Sequence, residues 1–519
     1  MQRLLLLFAV LGLAACSGQA EDYSELSIAE LHDRMQRGEL RSEQLVHWYL
    51  DRIETIDQGD AGLNAIIEVN PDALMIARAL DDEWRQSGPR GPMHGIPVVL
   101  KANIDTADSM YTSAGSLALA THRPSEDAFL VRQLRDAGAV ILAKANLSEW
   151  ANFRSSRSTS GWSSVGGQTH NPYDLTRNPC GSSSGSAVAV AANLTMVAVG
   201  TETNGSVVCP AGANGVVGIK PTLGLISRSG IVPLAHSQDT AGAMARSVRD
   251  AAALLSAMTG KDASDPVTAE GPQGRIDYAA NLAADGLAGR RIGVLRNYYG
   301  AGSNPEVEAI LAASIDTLQA QGAIVVDKLE IDLGAAGENE YKVLLYEFKA
   351  DLNAYLSNSN APVASLAEVI EFNDAHADDV LPLFGHENLL VADAMGGLDS
   401  PDYHTALDTS RQLARDGLDQ LMQDHELDAL IAITNGPAWK TDHVNGDHYS
   451  IGSSSYAAIA GYPNMTVPAG FVAGLPVGLS LMGQPFTEVQ LIRMAFAFEQ
   501  AQQARRPPGR LNGVTELDP

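Results

Sequence analysis

Residues 178–206, "NPCGSSSGSAVAVAANLTMVAVGTETNGS", set a glycine–serine cluster directly against a run of small apolar residues. A flexible spacer is polar along its whole length and is not embedded in apolar secondary structure. Here the serines lead into "SAVAVAANLTMVAV", which reads as a small-residue helix followed by a buried strand, Val197–Gly200. A second, glycine-bounded turn, "GTETNGS", follows at once. The stretch therefore belongs to a packed α/β unit, and one helix and one strand separate Ser182 from Ser206. That is enough chain to bring both serines back to the same end of a sheet.

Three chemistries use loops of this kind. A phosphate loop needs a lysine directly after its last glycine, and none follows here. Gly181-Ser182-Ser183-Ser184-Gly185 matches the nucleophile-elbow pattern, but an elbow is entered from a strand, and "HNPYDLTRNPC" is rich in turn formers. The third uses two serines and a lysine. Ser206 follows Asn204-Gly205 in a turn whose backbone N–H groups can converge on an oxyanion. Lys101 ends the apolar strand 96–100 of "HGIPVVLK" in a chain with only eight lysines. A lysine removed from water has a depressed pKa and, once neutral, is a base. Taken alone, Lys101 also fits an amine that snorkels to solvent.

Helix–turn–strand units recur along the chain, at "DAFLVRQLRDAGAVILAKANL", "TLQAQGAIVVDKLEI" and "LMQDHELDALIAITN". The first predicts a helix stopped at Gly138 and a strand from Val140 to Ala143. This alternation implies a large α/β sheet, mostly covered, with helices on its faces. Residues 27–57 read as two helices. Ser27 and Glu30 form a capping box for the first, and Gly38 breaks it. Ser42 caps the second, which buries Leu45, Tyr49 and Ile53. Residues 300–430 are more helical and read as a substrate-side insertion. Residues 464–483, with a Gly-Leu-Pro turn, supply the last strands before a closing helix at 487–503.

Composition narrows the partners. A formal net charge of −27 argues against nucleic acid and against a basic membrane-binding patch. "MQRLLLLFAVLGLAACSGQA" has an apolar run too short to span a membrane, followed by Leu13-Ala14-Ala15-Cys16. It reads as an export signal over residues 1–20, leaving one domain over 21–519. Cys16 is the expected lipid anchor; cleavage after Ala20 is the alternative. Any membrane association would run through that N-terminal lipid. Cys180 and Cys209 are then the remaining cysteines, either paired or simply buried. The acids and histidines of "TDHVNGDHY" (Asp442, His443, Asp447, His448) read as a solvated loop rather than a metal site. No metal and no cofactor is expected.

Four blocks stand in order along the chain after the signal: "HGIPVVLKANID", "GGQTHNPYDLTRNPCGSSSGSAVAVAA", "GTETNGSVVCPAGANGVVGIKPTLGLISRSG" and "AIAGYPNMTVPAG" with "GLPVGLSLMG". Together they resemble the amidase signature family, and within it the wording is most similar to bacterial peptide amidases. The resemblance implies that family's fold, a large mixed sheet flanked by helices on both faces. It also implies a Ser–cis-Ser–Lys triad that hydrolyses amides without a cofactor. Carried over by position, Ser206 is the acyl-forming nucleophile, Ser182 the relay serine and Lys101 the base. Ser183 is the supporting serine, and the backbone of Thr203, Asn204, Gly205 and Ser206 is the oxyanion hole. The expected substrate is a small-molecule or peptide amide, most of all a C-terminal peptide amide. Two departures stand out. Ala102 follows the lysine where many members have aspartate, and Asn204 puts a side chain beside the oxyanion hole, in reach of a substrate.

Overall fold

Apolar runs that do not alternate with polar residues form strands covered on both faces. The computed structural model, which describes residues 22–509 apart from 60, 61, 273 and 281, builds the centre of its sheet from such runs. The strands are β1 (Ile66–Val69), β2 (Pro97–Lys101), β3 (Val140–Ala145), β4 (Val197–Glu202), β5 (Val217–Lys220), β6 (Thr240–Ala245), β7 (Arg291–Leu295), β8 (Ile324–Leu329), β9 (Ala429–Ile433), β10 (Asn464–Val472) and β11 (Leu475–Met482). Their order in the sheet is β1-β3-β2-β4-β6-β5-β10-β11-β9-β7-β8. The sheet is mixed. β3, β2 and β4 run parallel, as do β9, β7 and β8, and the other neighbours are antiparallel. Every residue of β2, β3, β4, β6 and β9 is buried, so both faces are covered there.

β2 lies between β3 and β4, with Leu100 opposite Lys144 on one side and Val199 on the other. Both β3 and β4 run two residues further than their apolar runs suggest, to Ala145 and Glu202. Pairing with neighbours carries these polar ends into the sheet, at the edge where Lys101 sits.

Helix Ser184–Ala191 buries all eight of its residues. Its small side chains are a steric requirement. A Cβ on Gly185 would lie 2.3 Å from the carbonyl oxygen of Ala65 and 2.6 Å from that of Asn146.

The N-terminal helices are Ile28–Gln36 and Ser42–Arg52, followed by one π-helical turn, Ile53–Asp57. Ser27 and Glu30 make the expected capping box. Ser42 does not cap the second helix. It is the first helical residue, and its hydroxyl donates to the Gly95 carbonyl at 2.8 Å. The Asp81 carboxylate instead accepts the N–H groups of Ser42 and Glu43, a tertiary cap invisible to local pattern. The final hairpin also differs: Ala473 and Gly474, both with positive φ, make its turn, while Leu475 and Pro476 lie within β11. Within 300–430, helix Pro305–Ala320 and β8 belong with the main sheet. The helical remainder opens with Ala336–Asn358 and closes with Pro401–Asp424. A second apolar cluster, including Trp150, Phe348, Leu352 and Leu389, joins this part to the chain after β3.

The close approach at Gly185 makes a specific demand. Gly185→Ala should destabilise the protein by at least about 2–3 kcal/mol, because the obstructing atoms are backbone and cannot rotate away. Urea unfolding of the purified variant measures this, and a stability within 0.5 kcal/mol of the parent, roughly the neutral range, would contradict it.

Candidate active site

Because β2 and β4 are neighbours, the end of β2 meets the end of β4. Lys101 is the last residue of β2 and is fully buried. Its Nζ lies 2.8 Å from Ser182 Oγ, 2.8 Å from Thr201 Oγ1 and 3.2 Å from the Thr201 carbonyl. Removal from water lowers its pKa to about 7, against the opposing pull of the Asp239 and Glu202 charges. A substantial share of this amine is therefore neutral near pH 7.

Ser182 is also fully buried, and the Gly181–Ser182 peptide bond is cis. Its carbonyl accepts from the Ser148 N–H at 3.1 Å. Ser183 clamps the loop to β4: its hydroxyl donates to the Thr201 carbonyl at 3.0 Å and accepts the Thr201 N–H at 3.1 Å. The Ser183 N–H donates to the Ser206 carbonyl at 3.1 Å, tying the two serine-bearing segments together. The Cys180–Cys209 disulfide ties them a second time, joining the residue two before Ser182 to the residue three after Ser206. The paired alternative for these cysteines is thus the one the structure adopts.

Ser206 closes the turn that leaves β4, with Gly205 at φ 82°. Glu202, the last residue of β4, accepts the N–H groups of Val207 and Val208 at 2.7 and 3.0 Å and so starts the helix Val208–Ala213. Thr203 Oγ1 donates to Asp239 at 2.5 Å. Among the described residues, the N–H groups of Thr203, Asn204, Gly205 and Ser206 donate to no protein acceptor, and Ser206 Oγ makes no protein hydrogen bond. Four successive unpaired donors beside a free hydroxyl are what a developing oxyanion requires. A cavity of about 820 Å³ opens at Thr201, Thr203 and Ala151 and is walled by Ile231, His236 and Asp239. Its lining stops short of Lys101, Ser182 and Ser206.

The structure thus brings Lys101 into contact with Ser182, gathers Lys101 and Ser183 on Thr201, and ties Ser206 to Ser183. Thr201, Glu202 and Asp239 were not singled out from sequence: Thr201 meets Lys101 across the sheet and Asp239 meets Thr203 from 36 residues away, while Glu202 acts locally, on Val207 and Val208, without a motif to mark it. Asn204 behaves differently from expectation. Its side chain is bonded at both ends to the protein, to Glu340 and Ser455 through Nδ2 and to Ser454 through Oδ1, rather than presented to a ligand.

The "TDHVNGDHY" segment is not simply solvated. Asp447 accepts from Ser160, Asn178 and Trp439 and braces the loop that carries Cys180. Its neighbours diverge, with His443 against Gln168 and His448 against Asp442. His236, Glu347 and Asp351 form a separate group whose donor atoms lie close together. There the imidazole sits between the two carboxylates, 2.8 Å from Asp351 and 3.4 Å from Glu347, as an ion-pair network. Cys16 lies outside the described residues.

The model of the family described as Amidase matches residues 44–492. The chain belongs to the amidase family. It is 41% identical to a probable amidase of Arabidopsis thaliana over 498 residues, covering 93% of this chain and 91% of the relative. It is 36% identical to a putative amidase of Schizosaccharomyces pombe over 516 residues, covering 93% of this chain and 86% of the relative. Among solved structures, the native peptide amidase of Stenotrophomonas maltophilia superposes with a TM-score of 0.90 at 52% identity, covering 94% of this chain and 99% of that one. This amidase is therefore a hydrolase built on the mixed-sheet fold of its family.

Proposed function

We propose that this amidase removes the C-terminal carboxamide of peptides as ammonia through an acyl-enzyme on Ser206. The carrying observation is the buried Lys101–Ser182 contact beside a turn with four unpaired N–H donors. Serine hydroxyls are weak nucleophiles until a base takes the proton. Neutral Lys101 accepts a proton from Ser182, which takes one from Ser206, and Ser206 Oγ attacks the amide carbon. The carbonyl oxygen gathers charge against the backbone donors of residues 203–206. The relay then returns a proton to the nitrogen, ammonia departs, and water hydrolyses the ester by the same steps. The 52% identity to a peptide amidase over nearly the full chain supports peptide amides over other amides or esters.

We further propose that the enzyme is exported and held at a membrane by lipid on Cys16, otherwise released after cleavage. The Cys180–Cys209 disulfide supports an oxidising compartment.

The substrate reading is tested by ammonia release from a peptide amide, against an aryl amide, an ester and a long-chain fatty amide. The peptide amide should give the highest kcat/KM; a preference for any of the others would displace it. Ser206→Ala and Lys101→Ala should each lose about 10⁴-fold or more in kcat. Retained turnover by Ser206→Ala would remove the nucleophile assignment.

The pH dependence has a defined sign. Lys101 must be neutral to accept a proton, and its pKa is lowered to about 7. kcat/KM should therefore rise through pH 7 and fall about tenfold per unit well below it. A flat profile between pH 5 and 8 would exclude Lys101 as the base.

For localisation, labelling with a fatty-acid precursor and cell fractionation should place the protein in membranes. Cys16→Ser should abolish the label; a labelled variant would refute the anchor.

A further inference from the structure

The peptide planes of residues 203–206 must be held at fixed angles if their N–H groups are to meet an oxyanion, and loops alone do not supply that rigidity. Side chains from other elements hold this turn in place. Gln238 Nε2 donates to the Thr203 carbonyl at 3.3 Å, which sets the peptide plane whose other end is the Asn204 N–H. Asn204 itself is fixed at both ends of its amide, with Oδ1 accepting from Ser454 at 2.7 Å and Nδ2 donating to Ser455 at 3.1 Å.

Both amides converge on one atom. Asn204 Nδ2 and Gln238 Nε2 each donate to Glu340 Oε1 at 2.8 Å. Glu340 lies in helix Ala336–Asn358 and is 8% exposed. No cation pairs with it among the described residues. A buried carboxylate without a cation is costly, and one that accepts from two amides also dictates their orientation. A carboxylate oxygen can only accept, so each amide must turn its NH₂ toward Glu340. That leaves Asn204 Oδ1 facing the Ser454 hydroxyl. The arrangement accounts for a side chain at position 204, where a glycine could make none of these bonds.

We infer that Glu340 is a positioning residue for the oxyanion turn, holding the Thr203–Asn204 peptide plane through Gln238 and Asn204. The inference rests on the reading of Ser206 and its turn given above. It makes the helical part of the chain, which lies far from the serines in sequence, a structural member of the amide-hydrolysing site. A residue with this role lowers the transition state without improving ground-state binding.

The test compares Glu340→Ala, Glu340→Gln and Ser206→Ala in the full-length enzyme, with thermal melts to establish folding. Hydrolysis of a peptide amide is measured beside binding of a peptide aldehyde, which forms a tetrahedral adduct on a serine. Glu340→Ala should lower kcat by roughly 10–100-fold with KM changed less than about threefold, less than the loss from deleting an oxyanion donor outright. Aldehyde affinity should fall by the same factor. Glu340→Gln keeps a carbonyl oxygen able to accept both bonds and should recover most of the loss. If Glu340→Ala does not fold, Gln238→Ala carries the test with the same expected split between kcat and KM. An unchanged kcat in Glu340→Ala, or in Gln238→Ala where the first is unfolded, would overturn the inference while Ser206→Ala is inactive. So would a change confined to KM. Full turnover by Ser206→Ala would instead remove the nucleophile, and the inference would fall with it.

Discussion

The buried amine of Lys101 is the constraint on which the site depends. Its three close acceptors are two hydroxyls and a carbonyl, and no carboxylate touches it. In such surroundings the neutral form gains at the expense of the charged one. The same burial keeps Lys101 out of the cavity lining, so the proposed mechanism passes its proton through an intermediary. Ser182 is the group in contact with it that also belongs to the loop held against Ser206. The Cys180–Cys209 bridge and the Ser183 bonds to Thr201 keep that loop against the ends of β2 and β4.

Two other lysines sharpen the point. Lys144 and Lys220 are also fully buried, with pKa values lowered to about 8 by the same desolvation. Lys220 donates to the carbonyls of Pro221 and Tyr462, and Lys144 to the Ile104 carbonyl and Thr112 hydroxyl. Carbonyls accept but have no proton to give, so Lys220 serves as a brace between strand end and loop. Lys101 differs through its neighbour Ser182, a hydroxyl on the loop that the Ser183 N–H holds to Ser206. Burial creates a base, but connectivity gives it a use.

The backbone turn at 203–206 is likewise fastened from several directions. Glu202 takes the N–H groups beyond it, Asp239 takes the Thr203 hydroxyl, and Glu340 gathers the amides of Asn204 and Gln238. Glu202 and Glu340 are buried, and Asp239, at the cavity wall, is raised to about 6 by desolvation against the bonds it accepts. The donors of the turn stay unpaired because the surrounding acids bond to its flanks. An acid aimed at those N–H groups would occupy the place that the proposed function gives to the oxyanion.

Much of this was legible in the order of the residues. Unbroken apolar runs marked the covered strands, small residues marked the tightly packed helix, and Lys101, Ser182, Ser183 and Ser206 stood in blocks whose order resembles a known family. The strands and the helix follow from local composition and spacing, whereas the roles of the four site residues came from the resemblance. The cap on helix Ser42–Arg52, the turn of the last hairpin and the fastening of Asn204 were not legible. The first and third depend on partners far along the chain, Asp81 and Glu340, and the second on the pairing register of β10 with β11. The sequence by itself determined which groups could do chemistry and which segments had to be buried. Only the tertiary structure decided which of three buried lysines meets a serine, and which acid gathers the amides of Asn204 and Gln238, because hydrogen bonds over such separations exist only once the sheet has brought their elements together.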